Sequence, residues 1–302
     1  MKLINAIRQP YYLFRPAQIA RRVRFSLSRP QASVSAVLLP WGLSIRCRPS
    51  EELGRSLHTT GIYDLALTEM LCRTVERGDT AIDVGANIGY ATGLIAALAG
   101  SRATVYSFEP HPELFAELEA NVRSWFPDRR LAQIKLLQLA LSDTRGMALL
   151  REPGKAFEHN RGLATLARGS ADDGRAHLVS TWRLDEVAGL QEASIGVLKV
   201  DVEGHELEVL QGAETLLRRG RIRDVIFEEF HPYPAPTHDF LQGFGYTIFH
   251  LEPGLLRPHL LGTKPGYEPP KTSPPNYLAS IEPVRVTLKF QAIGWRFLGT
   301  VL

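Results

Sequence analysis

Cysteine and long apolar runs are scarce in this chain. Only two cysteines, Cys47 and Cys72, occur among its 302 residues, and apolar residues make up 44% of the composition, as in an ordinary globular protein. Two cysteines do not make a disulfide framework and no signal peptide with a cleavage site is visible, so we expect a reducing, cytoplasmic location. The best candidate for a membrane span, residues 36–45, contains Pro40 and is much shorter than the ~20 apolar residues that a bilayer requires.

Acidic residues are absent from the first 50 positions, which hold nine of the 35 lysines and arginines. The basic cluster is interleaved with aromatic residues and consists of Arg21, Arg22, Arg24 and Arg29. It could contact an anionic membrane surface through residues 1–30, bind nucleic acid, or remain a solvated arm. Because prolines at positions 10, 16 and 30 interrupt any long amphipathic helix, we favour the solvated arm and expect no nucleic-acid partner.

The segment AIDVGANIGY, residues 81–90, has no lysine or arginine. Its apolar residues predict a short buried strand, Gly85 and Gly89 permit a tight turn, and the apolar residues 91–98 predict a helix. Asn87 stands where a dinucleotide fingerprint would place a glycine, and Asp83 adds a negative charge. These features disfavour a pyrophosphate and suit a cationic ligand.

Glu109 ends the next apolar run, VYSFEP, and lies 24 residues after Gly85. An acidic side chain at about 20 residues from the glycine turn takes ribose hydroxyls in doubly wound folds. S-adenosylmethionine fits this pattern because it has a sulfonium, an ammonium and a ribose but no phosphate. NAD and a purely structural turn remain alternatives, since short glycine motifs are often false positives.

Apolar periodicity predicts an alternation of helices and strands from residue 64 onward. Predicted helices cover residues 64–77, 91–98, 112–123 and 206–219. Predicted strands cover residues 81–84, 105–109, 134–141, 195–202 and 225–229, followed by an antiparallel pair at 245–251 and 277–281. A strand pair at 34–39 and 43–48, an antiparallel excursion at 146–151 and a long loop at 152–177 lie outside this series. This alternation favours an α/β, doubly wound, mostly parallel sheet.

The segment LKVDVEGHELEVLQGAETLL places four polar residues at the carboxyl end of a buried strand, and they are Asp201, Glu203, His205 and Glu206. In open parallel sheets this edge faces the ligand crevice, so we expect these residues beside Gly85 and Glu109. The alternative is structural, since acidic residues also stabilise the first turn of a helix and Asp201 could cap it.

Three blocks of the sequence resemble the FkbM-type S-adenosylmethionine-dependent methyltransferases. They are AIDVGANIGY with SFEPHPELFAEL, then LALSD, and then LKVDVEGHELEVLQGAETLL followed by VIFEEF. The resemblance divides the chain into a basic N-terminal extension (1–59), a methyltransferase domain (60–283) and a C-terminal tail (284–302). It implies a class I methyltransferase fold, Rossmann-like, with S-adenosylmethionine as the cofactor.

The resemblance also implies which residues surround the cofactor. They are Asp83, Gly85, Ala86, Asn87, Gly89, Tyr90, Glu109, Pro110, Ser142 and Asp143. The turn would surround the methionine moiety, Glu109 the ribose, and Ser142 and Asp143 the adenine. Enzymes of this kind methylate a hydroxyl of a sugar, a polyketide or a related metabolite, so we expect a small-molecule hydroxyl acceptor.

Removal of the hydroxyl proton calls for a general base. His205 is the first candidate, followed by Glu229 and His231, while Asp201 and Glu203 could orient the base or the acceptor. A lone histidine is nevertheless more often structural than catalytic. An oxygen-rich cluster could also hold Mg²⁺, but no dedicated ligand set is evident, so a metal is not expected.

Two further functions stay open from the sequence. One is a non-catalytic module that docks on a membrane or nucleic acid through the basic arm, and cofactor binding with turnover would separate it from an enzyme. The other is an NAD-linked oxidoreductase, which would require nicotinamide binding to outcompete S-adenosylmethionine.

Overall fold

The computed structural model describes residues 23, 25, 33–126, 128–154, 157, 159–167, 175–254, 256–267 and 275–298. Helices in this part of the chain are α1 (Glu52–Thr60), α2 (Leu65–Thr74), α3 (Tyr90–Ala99), α4 (Pro112–Trp125), α5 (Glu206–Gln211), α6 (Glu214–Arg218), α7 (Pro236–Gly243) and α8 (Pro283–Gln291). Strands are β1 (Ser35–Leu38), β2 (Ser44–Cys47), β3 (Thr80–Val84), β4 (Thr104–Phe108), β5 (Gln133–Leu137), β6 (Ala140–Leu141), β7 (Gly146–Arg151), β8 (Thr165–Ala167), β9 (Ala176–Trp182), β10 (Ile195–Val200), β11 (Ile222–Glu228), β12 (Thr247–Glu252), β13 (His259–Gly262) and β14 (Asn276–Ser280).

The central sheet has eight strands in the order β13, β12, β14, β11, β10, β3, β4, β5. The strands from β11 to β5 pair in parallel, whereas β14, β12 and β13 pair antiparallel. Because the chain continues from β3 to β4 on one side and later adds β10 on the other, the winding direction reverses between β3 and β10. This topology confirms the predicted doubly wound, mostly parallel sheet, including its antiparallel pair, β12 and β14.

The register of the parallel strands brings their carboxyl ends to one level. Four residues lie side by side across the sheet, and they are Phe108, Val84, Val200 and Phe227. The residues that follow them are therefore also level, and they are Glu109, Gly85, Asp201 and Glu228. In an open α/β sheet this row, at the switch point, is where a ligand is bound.

Two apolar layers cover the sheet. One face packs against α2, α3 and α8, with Met70, Leu94 and Phe290 among its buried residues. The other face packs against α5, α6 and α7, with Val209 and Leu241 among its buried residues. Strands buried on both faces by helices are typical of parallel sheets and explain why β10 and β11 are so uniformly apolar.

Residues 33–60 belong to the same hydrophobic core as the sheet. The predicted strand pair is present as β1 and β2, and Trp41, Ile45 and Leu57 are completely buried. Strand β2 is also bonded to α4, because the indole N–H of Trp125 donates to the Ser44 carbonyl at 2.6 Å. The basic cluster Arg21, Arg22, Arg24 and Arg29, for which membrane contact was one alternative, lies outside the described residues.

The predicted third strand, 134–141, is wrong as one element. Strand β5 ends at Leu137, and Ala140–Leu141 forms β6, which pairs with β9 in a separate four-stranded sheet of order β6, β9, β7, β8. The predicted loop 152–177 is also partly wrong, since it contains β8 and the start of β9. Both β8 and β9 pair antiparallel with β7, a tertiary contact that local sequence does not reveal.

The predicted helix 206–219 is wrong in its continuity, because it is two helices separated at Gly212. The carbonyl of Gln211 accepts from the Arg183 guanidinium, and that of Gly212 accepts from the Asp185 N–H. The Asp185 carboxylate in turn accepts from the N–H groups of Thr215 and Leu216 at 3.0 and 3.1 Å. Partners from a distant segment therefore replace the helical bonds at this break.

Cys47 and Cys72 are both free thiols. Within the described ranges, none of the helices has the length and apolar character needed to cross a membrane.

Candidate functional site

A cavity of about 380 Å³ opens at the carboxyl ends of β3, β4, β10 and β11. Nine of the residues predicted from the sequence line it, and they are Gly85, Ala86, Asn87, Tyr90, Glu109, Pro110, Asp201, Glu203 and His205. Its volume falls in the range of about 300–1,000 Å³ that is typical of small-molecule sites. The register of the strands thus brings the two predicted groups of residues to one cavity.

The glycine turn after β3 forms one wall of the cavity. Gly85 has φ +74°, and a Cβ at this position would lie 1.8 Å from the Asp201 carbonyl oxygen. Only glycine therefore allows the turn to approach the end of β10 this closely. Asn87 also has a positive φ of 51°, an uncommon conformation outside glycine that is enriched at ligand sites.

Glu109 holds this wall in place. Its carboxylate accepts from the backbone N–H of Asn87 at 2.8 Å and from that of His111 at 2.9 Å. Burial raises the pKa of Glu109 to about 7, although the two backbone bonds act in the opposite direction. Glu109 thus connects the turn after β3 to the end of β4, with its carboxylate at the cavity surface.

Lys199 lies behind the turn and was not identified from the sequence. Its ammonium donates to the carbonyls of Val84 and Gly85 at 3.1 and 2.8 Å, and it lies 3.1 Å from Asp83 and 3.4 Å from Asp201. Burial alone would lower the pKa of Lys199, but the carboxylates of Asp83 and Asp201 raise it above its ordinary value. Lys199 therefore stays charged and joins the turn to β10.

Asp83 and Gly89, which were predicted to contact the cofactor, are not among the residues that line the cavity. Asp83 is fully buried, and its second carboxylate oxygen accepts from the Thr92 hydroxyl at 2.6 Å. Gly89 begins α3 with φ +100°. The structure therefore places both residues behind the wall, where they support the turn.

Tyr90 lines the cavity from the first turn of α3. Its hydroxyl lies 2.8 Å from that of Thr68, and its ring packs edge-on against Trp41 and Tyr63. Tyr63 also lines the cavity, and burial raises its pKa above the ordinary range, so its hydroxyl keeps its proton. These rings give the cavity an apolar side next to its carboxylates.

The wall opposite the turn carries three carboxylates, those of Asp201, Glu203 and Glu228. Burial and the charge of Asp201 raise the pKa of Glu203 to about 7, and Glu203 has a positive φ of 55°. Burial and the neighbouring carboxylates raise the pKa of Glu228 still further. Glu228 is 8% exposed, and no N–H or hydroxyl of the described residues donates to its carboxylate. It is thus a buried carboxyl group that faces the cavity and holds its proton to a higher pH than an exposed glutamate does.

Glu229 and His231, the candidates for the base named after His205, are not among the residues that line the cavity. The carboxylate of Glu229 accepts from the backbone N–H of His231 at 2.9 Å and lies 2.7 Å from the ring Nδ1 of His231, whose side chain is 79% exposed. Successive side chains of a strand point to opposite sides, so only one of the two glutamates at the end of β11 reaches the cavity. Glu228 is the one that does.

His205 lines the cavity, but its ring is already engaged. Its Nε2 lies 2.9 Å from the Ser142 hydroxyl, which also donates to Asp143 at 3.0 Å, and its Nδ1 lies 3.6 Å from Glu208. Ser142 and Asp143 are not among the lining residues. Ser142 and Asp143 therefore lie behind the cavity wall, and His205 separates them from the cavity.

Several lining residues were missed by the sequence analysis. They are Glu52, Tyr63, Arg161, Lys199, Glu228 and Phe230. The end of the apolar strand β11 indicates an acidic residue at the cavity but does not distinguish Glu228 from Glu229, and Phe230 gives only the ordinary signal of an aromatic residue. Phe230 is 58% exposed, an unusual position for a large apolar side chain.

The lining of the cavity is rich in carboxyl groups, which belong to Glu52, Glu109, Asp201, Glu203 and Glu228. The two cationic side chains of the lining, those of Arg161 and Lys199, are both bonded to other groups of the protein. Arg161 is bidentate with both Glu51 and Glu117, and Lys199 is bonded to the carbonyls of the turn. Such a surface suits a cationic ligand and offers little to a pyrophosphate.

A model of the methyltransferase FkbM domain matches residues 83–248. This segment begins in β3 and ends in β12, so it includes every strand that contributes to the cavity.

Two characterised proteins are similar over the same region. Hexuronic acid methyltransferase AglP of Haloferax volcanii is 31% identical over 169 residues, which cover 56% of this chain and 63% of AglP. The 31-O-demethyl-FK506 methyltransferase FkbM of Streptomyces tacrolimicus is 32% identical over 199 residues, covering 57% of this chain and 74% of that protein.

Among solved structures, an FkbM methyltransferase from Methylobacillus flagellatus aligns with 67% of this chain and 43% of its own length, at 14% identity and a TM-score of 0.40. The chain therefore spans less than two thirds of AglP and less than half of this structure.

Proposed function

Since the chain belongs to the FkbM methyltransferase family, we propose that it transfers a methyl group from S-adenosylmethionine to a hydroxyl oxygen of a small-molecule acceptor. The observation that supports this most directly is the row of four strand ends. It places the turn at Gly85 and the carboxylate of Glu109 on one side of a single cavity, and Asp201 and Glu228 on the other.

The residues present fit the cofactor. The turn at Gly85 packs against the Asp201 carbonyl at a distance that no side chain would allow, and this holds the backbone of the turn at the cavity wall. Gly85, Ala86 and Asn87 would hold the methionine moiety, and Glu109 would accept from the ribose hydroxyls. S-adenosylmethionine supplies, when bound, an electrophilic methyl carbon next to a positive sulfur, and the carboxylate-rich lining favours that charge.

Glu228 is our candidate for the general base. A base must reach the acceptor hydroxyl and must have a free lone pair, and Glu228 is suited to this because it lines the cavity and accepts no hydrogen bond from the residues that the structure describes. A raised pKa makes it a stronger proton acceptor once it is ionised. Asp201 and Glu203 would orient the acceptor, and His205 is the second candidate for the base.

The acceptor is proposed to be a sugar or a polyketide-like molecule. AglP and the Streptomyces FkbM protein are named for a hexuronic acid and for FK506, which are polyhydroxylated or polyketide in character. The exposed ring of Phe230 at the cavity offers an apolar surface for such a molecule.

Calorimetry with the full chain tests the cofactor. S-adenosylmethionine and S-adenosylhomocysteine should bind, and NAD should not compete with either. Tighter binding of NAD would favour an oxidoreductase instead, and binding without turnover on any acceptor would favour the non-catalytic module. Turnover is best sought by mass spectrometry with paired neutral glycosides, uronosides and polyketide alcohols.

Substitution of neighbouring glutamates tests the base. Glu228→Gln should lower the chemical rate by ~10²–10⁴-fold with little change in cofactor affinity, whereas Glu229→Gln should keep most of the rate. If His205→Gln loses the rate and Glu228→Gln does not, the base is His205. Loss of the rate in Glu229→Gln alone would instead make Glu229, a later candidate from the sequence, the base.

The basic segment 1–30 is proposed to be a solvated arm, with contact to an anionic membrane surface as the alternative and no nucleic-acid partner. Salt-sensitive binding of the full chain to vesicles that contain anionic lipid would favour the alternative.

A further inference from the structure

A second cluster of functional side chains lies outside the cavity, where the central sheet meets the small four-stranded sheet. It consists of His111, Glu152 and His177. His111 follows the end of β4 and is fully buried, Glu152 follows β7, and His177 belongs to β9. Three separate segments of the chain therefore converge here.

The three side chains point their polar atoms at one another. The Nε2 atoms of His111 and His177 lie 3.2 and 2.8 Å from the same carboxylate oxygen of Glu152. The two rings meet edge to face at an angle of 68°, with centroids 4.7 Å apart, and one ligand atom from each of the three residues lies within 4.8 Å of the others. Ligands of a tetrahedral ion at bond lengths of about 2.0–2.2 Å are separated by similar distances.

From this geometry we propose that His111, Glu152 and His177 form a binding site for a divalent transition-metal ion of the zinc type. Two imidazoles and one carboxylate form a ligand set that suits Zn²⁺ and disfavours Mg²⁺ and Ca²⁺, which prefer oxygen ligands throughout. Two ligands are well buried, while the side chain of His177 is 28% exposed and leaves a side open for water as the fourth ligand.

The surroundings predict moderate affinity. His111 Nδ1 accepts a long bond of 3.3 Å from the Glu113 N–H at the start of α4. Ligation through Nε2 requires the ring to carry its proton on Nδ1, so the ion must displace this bond. We therefore expect binding at micromolar rather than much lower concentrations of Zn²⁺.

The site would act on the structure rather than on the methyl transfer. Pro110 and Leu150 line the cofactor cavity and lie within two residues of His111 and Glu152. An ion that joins these segments would connect two walls of the cavity and stabilise the folded chain in proportion to its occupancy.

The test uses the full chain stripped of metal with a chelator and titrated with Zn²⁺ alone by calorimetry. We expect one ion per chain and a rise in the thermal midpoint, and we expect Co²⁺ to give the visible absorption of a four-coordinate nitrogen and oxygen site. Glu152→Gln and His177→Asn should lose these signals, whereas His259→Asn, which alters an exposed histidine elsewhere, should keep them.

Failure of the wild-type chain to bind one ion at micromolar Zn²⁺ would overturn the proposal and leave a hydrogen-bonded cluster. Binding that persists in both Glu152→Gln and His177→Asn would overturn it as well. Circular dichroism of the two variants shows whether they are folded, and the exposed position of His177 makes its variant the safer of the two. None of these results depends on the identity of the methyl acceptor.

Discussion

Glu228 and Glu229 are neighbours in the chain with opposite electrostatic surroundings. Burial and the carboxylates of Asp201 and Asp64 raise the pKa of Glu228. Burial acts in the same direction on Glu229, but hydrogen bonds from His231 and Thr237 lower its pKa below the ordinary value. The two residues should therefore make opposite contributions to the pH dependence of stability.

Glu228→Gln is expected to stabilise the protein at alkaline pH. The folded state holds the Glu228 proton more tightly than the unfolded state does, so stability falls as the pH rises toward the folded pKa. Removing the ionisable group should raise the free energy of unfolding by about 1–3 kcal/mol near pH 8, and the gain should shrink toward about pH 5. Urea denaturation at a series of pH values measures it.

Glu229→Gln serves as the matched control and should show the reverse. A lowered pKa stabilises the folded state above the unfolded pKa, so this variant should lose stability at neutral pH and approach the wild type as the pH falls. Equal effects of the two substitutions would contradict the different environments assigned to the two carboxylates.

Glu109 combines two roles, since its carboxylate accepts a hydrogen bond from the backbone N–H of Asn87 in the turn and also faces the cavity. Glu109→Ala should weaken S-adenosylmethionine binding by about 1–3 kcal/mol because a charged acceptor is lost. Glu109→Gln should weaken S-adenosylmethionine binding less than Glu109→Ala does, because the amide oxygen of the glutamine still accepts one of the two backbone hydrogen bonds. Unchanged affinity of a folded Glu109→Ala protein in calorimetry would remove Glu109 from the cofactor site.

At the scale of elements, the turn between β3 and α3 depends on a contact with β10. Gly85 and Gly78 both have positive φ, but only Gly85 has an atom in the place of a Cβ, the Asp201 carbonyl oxygen at 1.8 Å. Gly78 has nothing within 4 Å. This pair of glycines separates the cost of the backbone conformation from the cost of the close approach.

Gly78→Ala should therefore lower the free energy of unfolding by about 1–2 kcal/mol, which is the penalty for a left-handed conformation alone. Gly85→Ala should lower the free energy of unfolding by clearly more, because β10 must move away from the turn after β3. The same substitution should also abolish cofactor binding. Thermal denaturation and calorimetry of the two variants measure these effects. If both variants are equally stable and bind equally well, the turn does not require the contact.

The break between α5 and α6 shows a limit of local sequence patterns. The apolar positions of 206–219 continue with helical spacing across Gly212, so they predict one helix. Arg183 and Asp185 take over the backbone groups at the break, and they come from a segment more than 20 residues away. The periodicity of apolar residues shows which face of a helix is buried. It does not show which side chain from a distant segment will bind a backbone carbonyl of that helix.

At the scale of the whole molecule, residues 33–60 complete one apolar layer of the sheet. Trp41 is 1% exposed in this layer, whereas Leu38 in the neighbouring strand is 64% exposed. A chain that begins near Glu51 would lack β1, β2 and Trp41, so its cofactor binding would be lost through unfolding rather than through loss of a contact.

Trp41→Ala should lower the free energy of unfolding by about 3–5 kcal/mol, as expected for a large side chain removed from a core. Leu38→Ala should change it by no more than about 0.5 kcal/mol, since its side chain is exposed. Denaturant titration of both variants provides the comparison. A small effect at Trp41 would show that the N-terminal strand pair contributes little to the core.

The sequence by itself determined the doubly wound fold and one wall of the cavity. The strand, turn and helix around Gly85 and the acid at Glu109 are encoded within a few residues of one another. Local conformation and hydrophobic burial act at that range, so a short motif is enough to specify them. The FkbM resemblance rests on these same segments.

Only the tertiary structure decided which acid faces the cavity and what surrounds it. Strand β11 is buried on both faces, so its apolar residues do not alternate and cannot show whether Glu228 or Glu229 points inward. The register with β10 and β14 decides it. Three further features depend on contacts between segments that are far apart in the chain, which no local pattern records. They are the bond of Lys199 to Gly85, the contact of His205 with Ser142 and the contact of Glu152 with His177.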